Sequence, residues 1–160
     1  GAILEPLVSV GNHCTVRRTC QVEAGTSIGD RCFVGHAAEV SGVMMPNSYA
    51  YHYGEYWGVI GTNSDLGAAT VCGNLRFDDG LTAHRIKGRR EIPPHGANAA
   101  YLGDYVRTGV NTIIMPGVKV GPYSILGAGA IIEEDVPERT IVFVKQEQVQ
   151  KAWGPERYGW

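Results

Sequence analysis

The chain carries no excess of charge of either sign and no long apolar run. Fourteen Lys and Arg stand against sixteen Asp and Glu, a formal charge of −2. That leaves no broad electrostatic footprint for nucleic acid or an acidic membrane. No stretch approaches the ~20 apolar residues that span a bilayer. The opening residues, GAILEPLVSVG, lack a basic start and a long apolar stretch, so no secretory signal is read and the expected compartment is the cytoplasm. The four cysteines form no C-x-x-C pair, so the zinc spacing is missing and no metal is expected. With nothing pointing to an oxidising compartment, they are expected to be reduced and buried. Disorder is excluded by the 44% apolar content, and collagen by the irregular spacing of the 22 glycines.

What is there is a beat of six. Aliphatics recur at Val10, Val16, Val22, Ile28, Val34 and Val40, again at Ile60 and Leu66, and again from Leu102 through Ile114, Val120, Leu126 and Ile132, with Thr108 the one polar member. Gly often follows the aliphatic, and four places after it comes a compact residue such as Cys20, Thr26, Cys32, Ser64, Thr70 or Ala130. A helix face repeats at three and four, so six is no helical period. It suits a short strand with the aliphatic inward, broken by a turn in every unit. One unit cannot bury its own face, so the units stack as a parallel β-helix around a column of aliphatics. Such sequences resemble the left-handed β-helix acyltransferases, in which three units close one triangular coil. Val10 then lies under Ile28, Val16 under Val34, Leu102 under Val120, and Cys14 below Cys32 with both thiols inward.

Two interruptions stand out. Residues 45–59 are rich in aromatics, and 74–101 are polar and basic, with Arg76, Arg85, Lys87, Arg89 and Arg90 gathered as a candidate anion site. Both are expected to loop out of a solenoid spanning residues 1–143. Residues 144–160 are expected to cap it with a short helix, about Gln146 to Trp153, and a tail in which Trp153, Tyr158 and Trp160 pack.

The segments SYAYHYGEYWGVIG, LGAATVCGNLRFDDG and LGAGAIIEEDVPERTIVFVKQ resemble the C-terminal acetyltransferase domain of the bifunctional sugar-1-phosphate nucleotidylyltransferase/acetyltransferases, GlmU-like enzymes, over about Val10 to Lys145. No Gly-rich pyrophosphorylase loop is present. The resemblance implies a homotrimer with its acceptor site between subunits, acetyl-CoA lying along the solenoid, and an amino-sugar 1-phosphate (glucosamine- or galactosamine-1-phosphate) as acceptor. It assigns His52 as general base with Tyr56 as its partner, at a spacing one residue off the family's, so that Tyr53 competes for that role. It places Asn74 on the acyl group or amino sugar, and Arg17 and Glu39 at the acceptor. Ala68, within Gly67-Ala68-Ala69-Thr70, and Ala128 would line the cofactor, and Lys145 would meet a CoA phosphate. Imidazole is the side chain suited to take a proton from an amine near neutral pH. A backbone N–H beside the small residues would serve the developing oxyanion.

The chain departs from the family where lysines stand in relatives: Ser41, Gly80 and Ala83 replace them, and Asp65 replaces an Asn. Arg76, Arg85 or Lys87 could take over the phosphate contact. The alternative function is a catalytically altered regulatory or assembly domain attached to a sugar nucleotidylyltransferase. A γ-class carbonic anhydrase would need three zinc-binding His on neighbouring corners, and His13, His36, His52, His84 and His95 offer no closely spaced pair.

Overall fold

The computed structural model describes residues 1–157. The chain winds as a parallel β-solenoid with three faces, and the six-residue repeat implies left-handed winding. The first face stacks Ile3–Leu4, Gln21–Val22, the start of Ala38–Met44, the start of Gly54–Ile60, Val71–Cys72, Ile113–Ile114 and Ile131–Ile132. The third face stacks Thr15–Val16, Phe33–Val34, Tyr49–Ala50, Asp65–Leu66, Arg107–Thr108, Ile125–Leu126 and Ile141–Val142. Between them runs the second face, from Ser9–Val10 to Lys119–Val120. The expected registers hold: Val10 pairs with Ile28, Val16 with Val34 and Leu102 with Val120.

The second residue of each two-residue solenoid strand points inward, as do Val40 and Tyr56, third in the two long strands. Val22, Val34, Val40, Leu66, Ile114 and Leu126 are sealed from solvent in one continuous core. The compact corner residues above the open end are buried too, and where one carries a hydroxyl it ties coil to coil. Ser48 Oγ donates to Gly61 O at 2.7 Å, Ser64 Oγ to Gly103 O at 3.1 Å, and Ser124 Oγ to Pro137 O at 2.9 Å. The polar exception, Thr108, is matched from below by Thr70, their hydroxyls 2.6 Å apart. Cys20, Cys32 and Cys72 are buried free thiols; Cys14 is free but only half-buried, because the open end of the solenoid lies just beneath it.

Two expectations need correction. The aromatic stretch 45–59 is not an insertion. It carries the strands Tyr49–Ala50 and Gly54–Ile60, and the latter pairs along its full length with Ala38–Met44. In these two coils one corner is pulled straight, so the inward residue after Val40 comes four places on, at Met44, instead of six. Gly42 and Gly58, with φ of 113° and 140°, stack at that straightened corner, where a Cβ on Gly42 would lie 2.2 Å from the Gly58 oxygen. The basic segment does leave the solenoid, after Cys72, and the chain rejoins it in the strand Ala100–Leu102. The helix expected over 146–153 is not formed. That segment has no regular structure and is exposed, and the only helical turn among the described residues is Pro155–Arg157. A stretch this short, with no apolar face laid on the coil end, has nothing to offset the cost of helix nucleation. Tyr158 and Trp160 lie outside the described residues. Among the described residues no helix is long and apolar enough to cross a membrane.

Candidate active site

The corner joining the third face to the first forms a straight ridge. Each coil places its second corner residue there, two positions past the inward residue of the third face. His36 follows Val34, His52 follows Ala50, Ala68 follows Leu66 and Ala128 follows Leu126. His52, Ala68 and Ala128 thus stand in one column, Ala68 one coil above the imidazole and Ala128 three. At about 4.8 Å per coil the column climbs ~14 Å between His52 and Ala128. Lys145 leaves the last strand at the same corner, one coil higher still.

The corner is held close by backbone. A Cβ on Gly35 would lie 1.8 Å from the Tyr51 carbonyl oxygen, so no side chain fits under the His52 turn. Ala69 N donates to Tyr53 O at 2.8 Å and Asn111 N to Ala68 O at 2.9 Å. Among the described residues no acceptor takes the Ala68 N–H, which leaves an uncommitted donor one coil above His52. The His52 ring is exposed and meets the edge of His36 at 5.9 Å. Around it stand Tyr51, stacked on Tyr49 at 5.6 Å, and Tyr53, 52% exposed.

Tyr56 does not belong to this surface. Its ring fills the core column between Val40 and Cys72, and its hydroxyl donates to His52 O at 3.1 Å. Burial pushes its phenol well above the usual range. It steadies the turn that carries the imidazole, and its hydroxyl is closed to a bound ligand. The accessible phenol at the corner is Tyr53.

Arg17 lies at the foot of the same ridge, its guanidinium 5.0 Å from the Phe33 ring centroid. Glu39 sits on the outer side of the first face, opposite Gln21 and Glu55. Burial, then Glu23, Glu55 and Glu5, raise its carboxyl above the ordinary 4.5.

Asn74 is elsewhere, at the next corner, where the excursion begins. It lines a small cavity of about 180 Å³ with Trp57, Leu81 and residues 96–99. Six residues separate Ala68 from Asn74, so a whole side of the prism, roughly 20 Å at 3.3 Å per residue, parts it from the His52 ridge in one chain. Of the five cations, Arg76 is spent on Asp78, with two contacts of 2.8 and 2.7 Å, and Arg89 meets Glu91 at 3.4 Å. The Arg76 guanidinium holds the Asp78 carboxyl well below the usual carboxylate range, so a phosphate at Arg76 would compete with Asp78 in an exposed pair. Arg85 and Lys87 project from an exposed hairpin, His84–Ile86 with Arg89–Glu91, turned by Lys87 and Gly88 at φ 47° and 82°. Among the described residues no three His, Cys, Asp or Glu side chains converge as metal ligands.

The upper coils match the model of the bacterial transferase hexapeptide family, six repeats, over residues 99–134. The chain is a hexapeptide-repeat β-helix domain. Over 133 residues, 81% of the chain and 32% of the relative, this domain is 35% identical to the bifunctional protein GlmU of Methanococcus vannielii. Over 106 residues, 64% of the chain and 26% of the relative, it is 38% identical to a bifunctional sugar-1-phosphate nucleotidylyltransferase/acetyltransferase of Sulfurisphaera tokodaii. The domain spans about a third of the length of the curated relatives it matches. Among solved structures, serine acetyltransferase isoform 3 of Entamoeba histolytica shares the fold, with a TM-score of 0.52 at 18% identity over 88% of this chain and 40% of that one.

Proposed function

We propose that this domain is an acetyltransferase that moves the acetyl group of acetyl-CoA to the amine of an amino-sugar 1-phosphate, of the glucosamine or galactosamine type. One observation carries the reading: an exposed imidazole, an uncommitted backbone N–H and two small residues share a column, with Val110 between the two small residues and a lysine at the upper end. The column suits an extended thioester arm. Ala68 and Ala128 leave room along it, Lys145 meets a CoA phosphate, and the Ala68 N–H faces the thioester oxygen as charge develops there. The acceptor reaches the site as an ammonium, which the carboxylates of Glu39 and Glu55 favour. The ammonium gives up one proton to solvent; as the free amine forms the C–N bond, His52 takes a second proton from that nitrogen, the C–S bond breaks, and the thiolate leaves with the proton from His52.

Asn74, Arg85 and Lys87 lie too far from His52 to serve it within one chain. In a homotrimer, the arrangement implied by the resemblance, the excursion of one subunit reaches the ridge of the next and completes the site. Arg17 and the two hairpin cations then hold the sugar phosphate, and Tyr53 takes the accessory phenol role.

The test is release of free CoA thiol from acetyl-CoA with glucosamine- and galactosamine-1-phosphate, against the unphosphorylated sugars. Phosphate-dependent release supports the proposal. A second reading, an altered regulatory or assembly domain, is favoured by Ser41, Gly80 and Ala83 in place of family lysines and by the closure of Arg76 on Asp78. CoA binding without thiol release to any amine decides for it.

A further inference from the structure

Away from the ridge, the hairpin of the excursion leans over the second face and encloses a cavity of about 500 Å³, within the usual range for small-molecule sites. Its wall is largely apolar: Ile86, Ile92, Pro93, Pro94 and the ring of Tyr101. The polar groups around it are already committed. Tyr101 OH donates to Gly96 O at 2.7 Å. Glu91 faces Arg89, and Lys119 Nζ is held between Asp135 Oδ2, 3.4 Å, and Arg85 O, 3.5 Å.

The exception is His84. Its side chain lines the cavity, is 95% buried, and packs edge-on against Tyr101 at 5.4 Å. Its Nε2 lies 2.7 Å from Ala97 O. A carbonyl only accepts, so Nε2 carries the proton and Nδ1 of the neutral ring is the acceptor. Among the described residues nothing donates to Nδ1, yet no buried side-chain nitrogen or oxygen is left sealed without a partner. Nδ1 is therefore not sealed, and the ring borders this cavity as well as the polar groove lined by Arg85, Glu133 and Asp135.

We infer that this cavity is a second binding site, separate from the acyl-transfer ridge, for a flat, mainly apolar molecule bearing one N–H or O–H donor, of the indole or phenol type. The ring lies between Tyr101 and the Pro93–Pro94 wall and its donor meets His84 Nδ1. Because the walls belong to the excursion that carries Asn74, an occupant also fixes that excursion against the second face.

The experiment titrates the intact domain with indole and with benzofuran, its near-isostere without a donor, while following the His84 and Tyr101 ring resonances by NMR. Indole should saturate one site, shift both rings, and bind about tenfold more tightly than benzofuran, the worth of one hydrogen bond to a buried acceptor. Ile92→Arg, at a 57% exposed position on the rim, should block both ligands without unfolding the domain. His84→Phe should erase the preference for indole. Absence of saturable binding, equal affinity for the two probes, or binding that survives Ile92→Arg overturns the proposal. So does a probe response that appears only as a change in oligomeric mass, since a second copy then fills the cavity.

Discussion

Two glycine-to-alanine substitutions separate steric stacking from backbone preference. Gly35 has no positive φ, but its missing Cβ leaves the space that the Tyr51 carbonyl occupies in the coil above, 1.8 Å away, short of ordinary contact by about 1.6 Å. Neither atom is the end of a flexible side chain. The coils must part by a third of their spacing, which strains or breaks the bond from Gly35 N to Ala50 O, 2.7 Å. Overpacking costs about 3 kcal/mol and the lost hydrogen bond about 1 more. Gly25 is the reverse case, with φ at 76° and open space around it. Its alanine pays only the left-handed backbone penalty, about 1 kcal/mol. In urea, with m near ~2 kcal/mol/M, the midpoint should fall by about 2 M for Gly35→Ala and by about 0.5 M for Gly25→Ala. Equal midpoints for the two variants would refute the close stacking beneath His52.

Other outcomes follow from the same geometry. Tyr56→Phe removes a hydroxyl that bonds only to His52 O; stability should drop by about 1 kcal/mol in thermal melts while turnover stays within a few-fold. A loss above a hundredfold would return that phenol to the chemistry. Because burial and the neighbouring carboxylates raise Glu39 above 4.5 in the native state, the folded protein holds that proton more tightly than the unfolded chain. Stability therefore falls as pH rises from about 4.5 through the raised value. Glu39→Gln should melt higher than the parent above that window and equal it below. Mixing His52→Ala with Asn74→Ala subunits should restore part of the activity each lacks alone, since mixed assemblies contain an interface with both groups intact; no recovery on co-refolding places the two residues in separate functions.

The solenoid was legible because its core repeats. Val22, Val34, Leu66, Ile114 and Leu126 face inward as the six-residue beat requires, and even polar Thr108 keeps phase, because Thr70 lies below it to share a hydrogen bond. The beat was lost between Val40 and Ile60, where straightening one corner removes two residues from a coil. Spacings of sixteen, Val40 to Tyr56, Met44 to Ile60 and Gly42 to Gly58, carry that signal, and reading them would have put Tyr56 in the core. The column of His52, Ala68 and Ala128 was implicit in the period, since position within a coil sets the corner. The separation of Asn74 was equally implicit, but the closure of Arg76 on Asp78 and the cavity beneath the hairpin depend on how an aperiodic excursion folds back. No repeat encodes those contacts. The terminal helix failed for a related reason: the segment lies outside the repeat, and local pattern alone does not hold a short helix.

The general-base role of His52 is the claim on which the mechanism turns. Its direct test is the acetyl-transfer rate of His52→Ala, with CoA affinity and sedimentation measured on the same preparation. The account predicts a turnover loss of about 10²- to 10⁴-fold, with cofactor binding and assembly unchanged because the side chain is exposed and its one ring contact among the described residues is with His36. Turnover within threefold of the unsubstituted domain contradicts it.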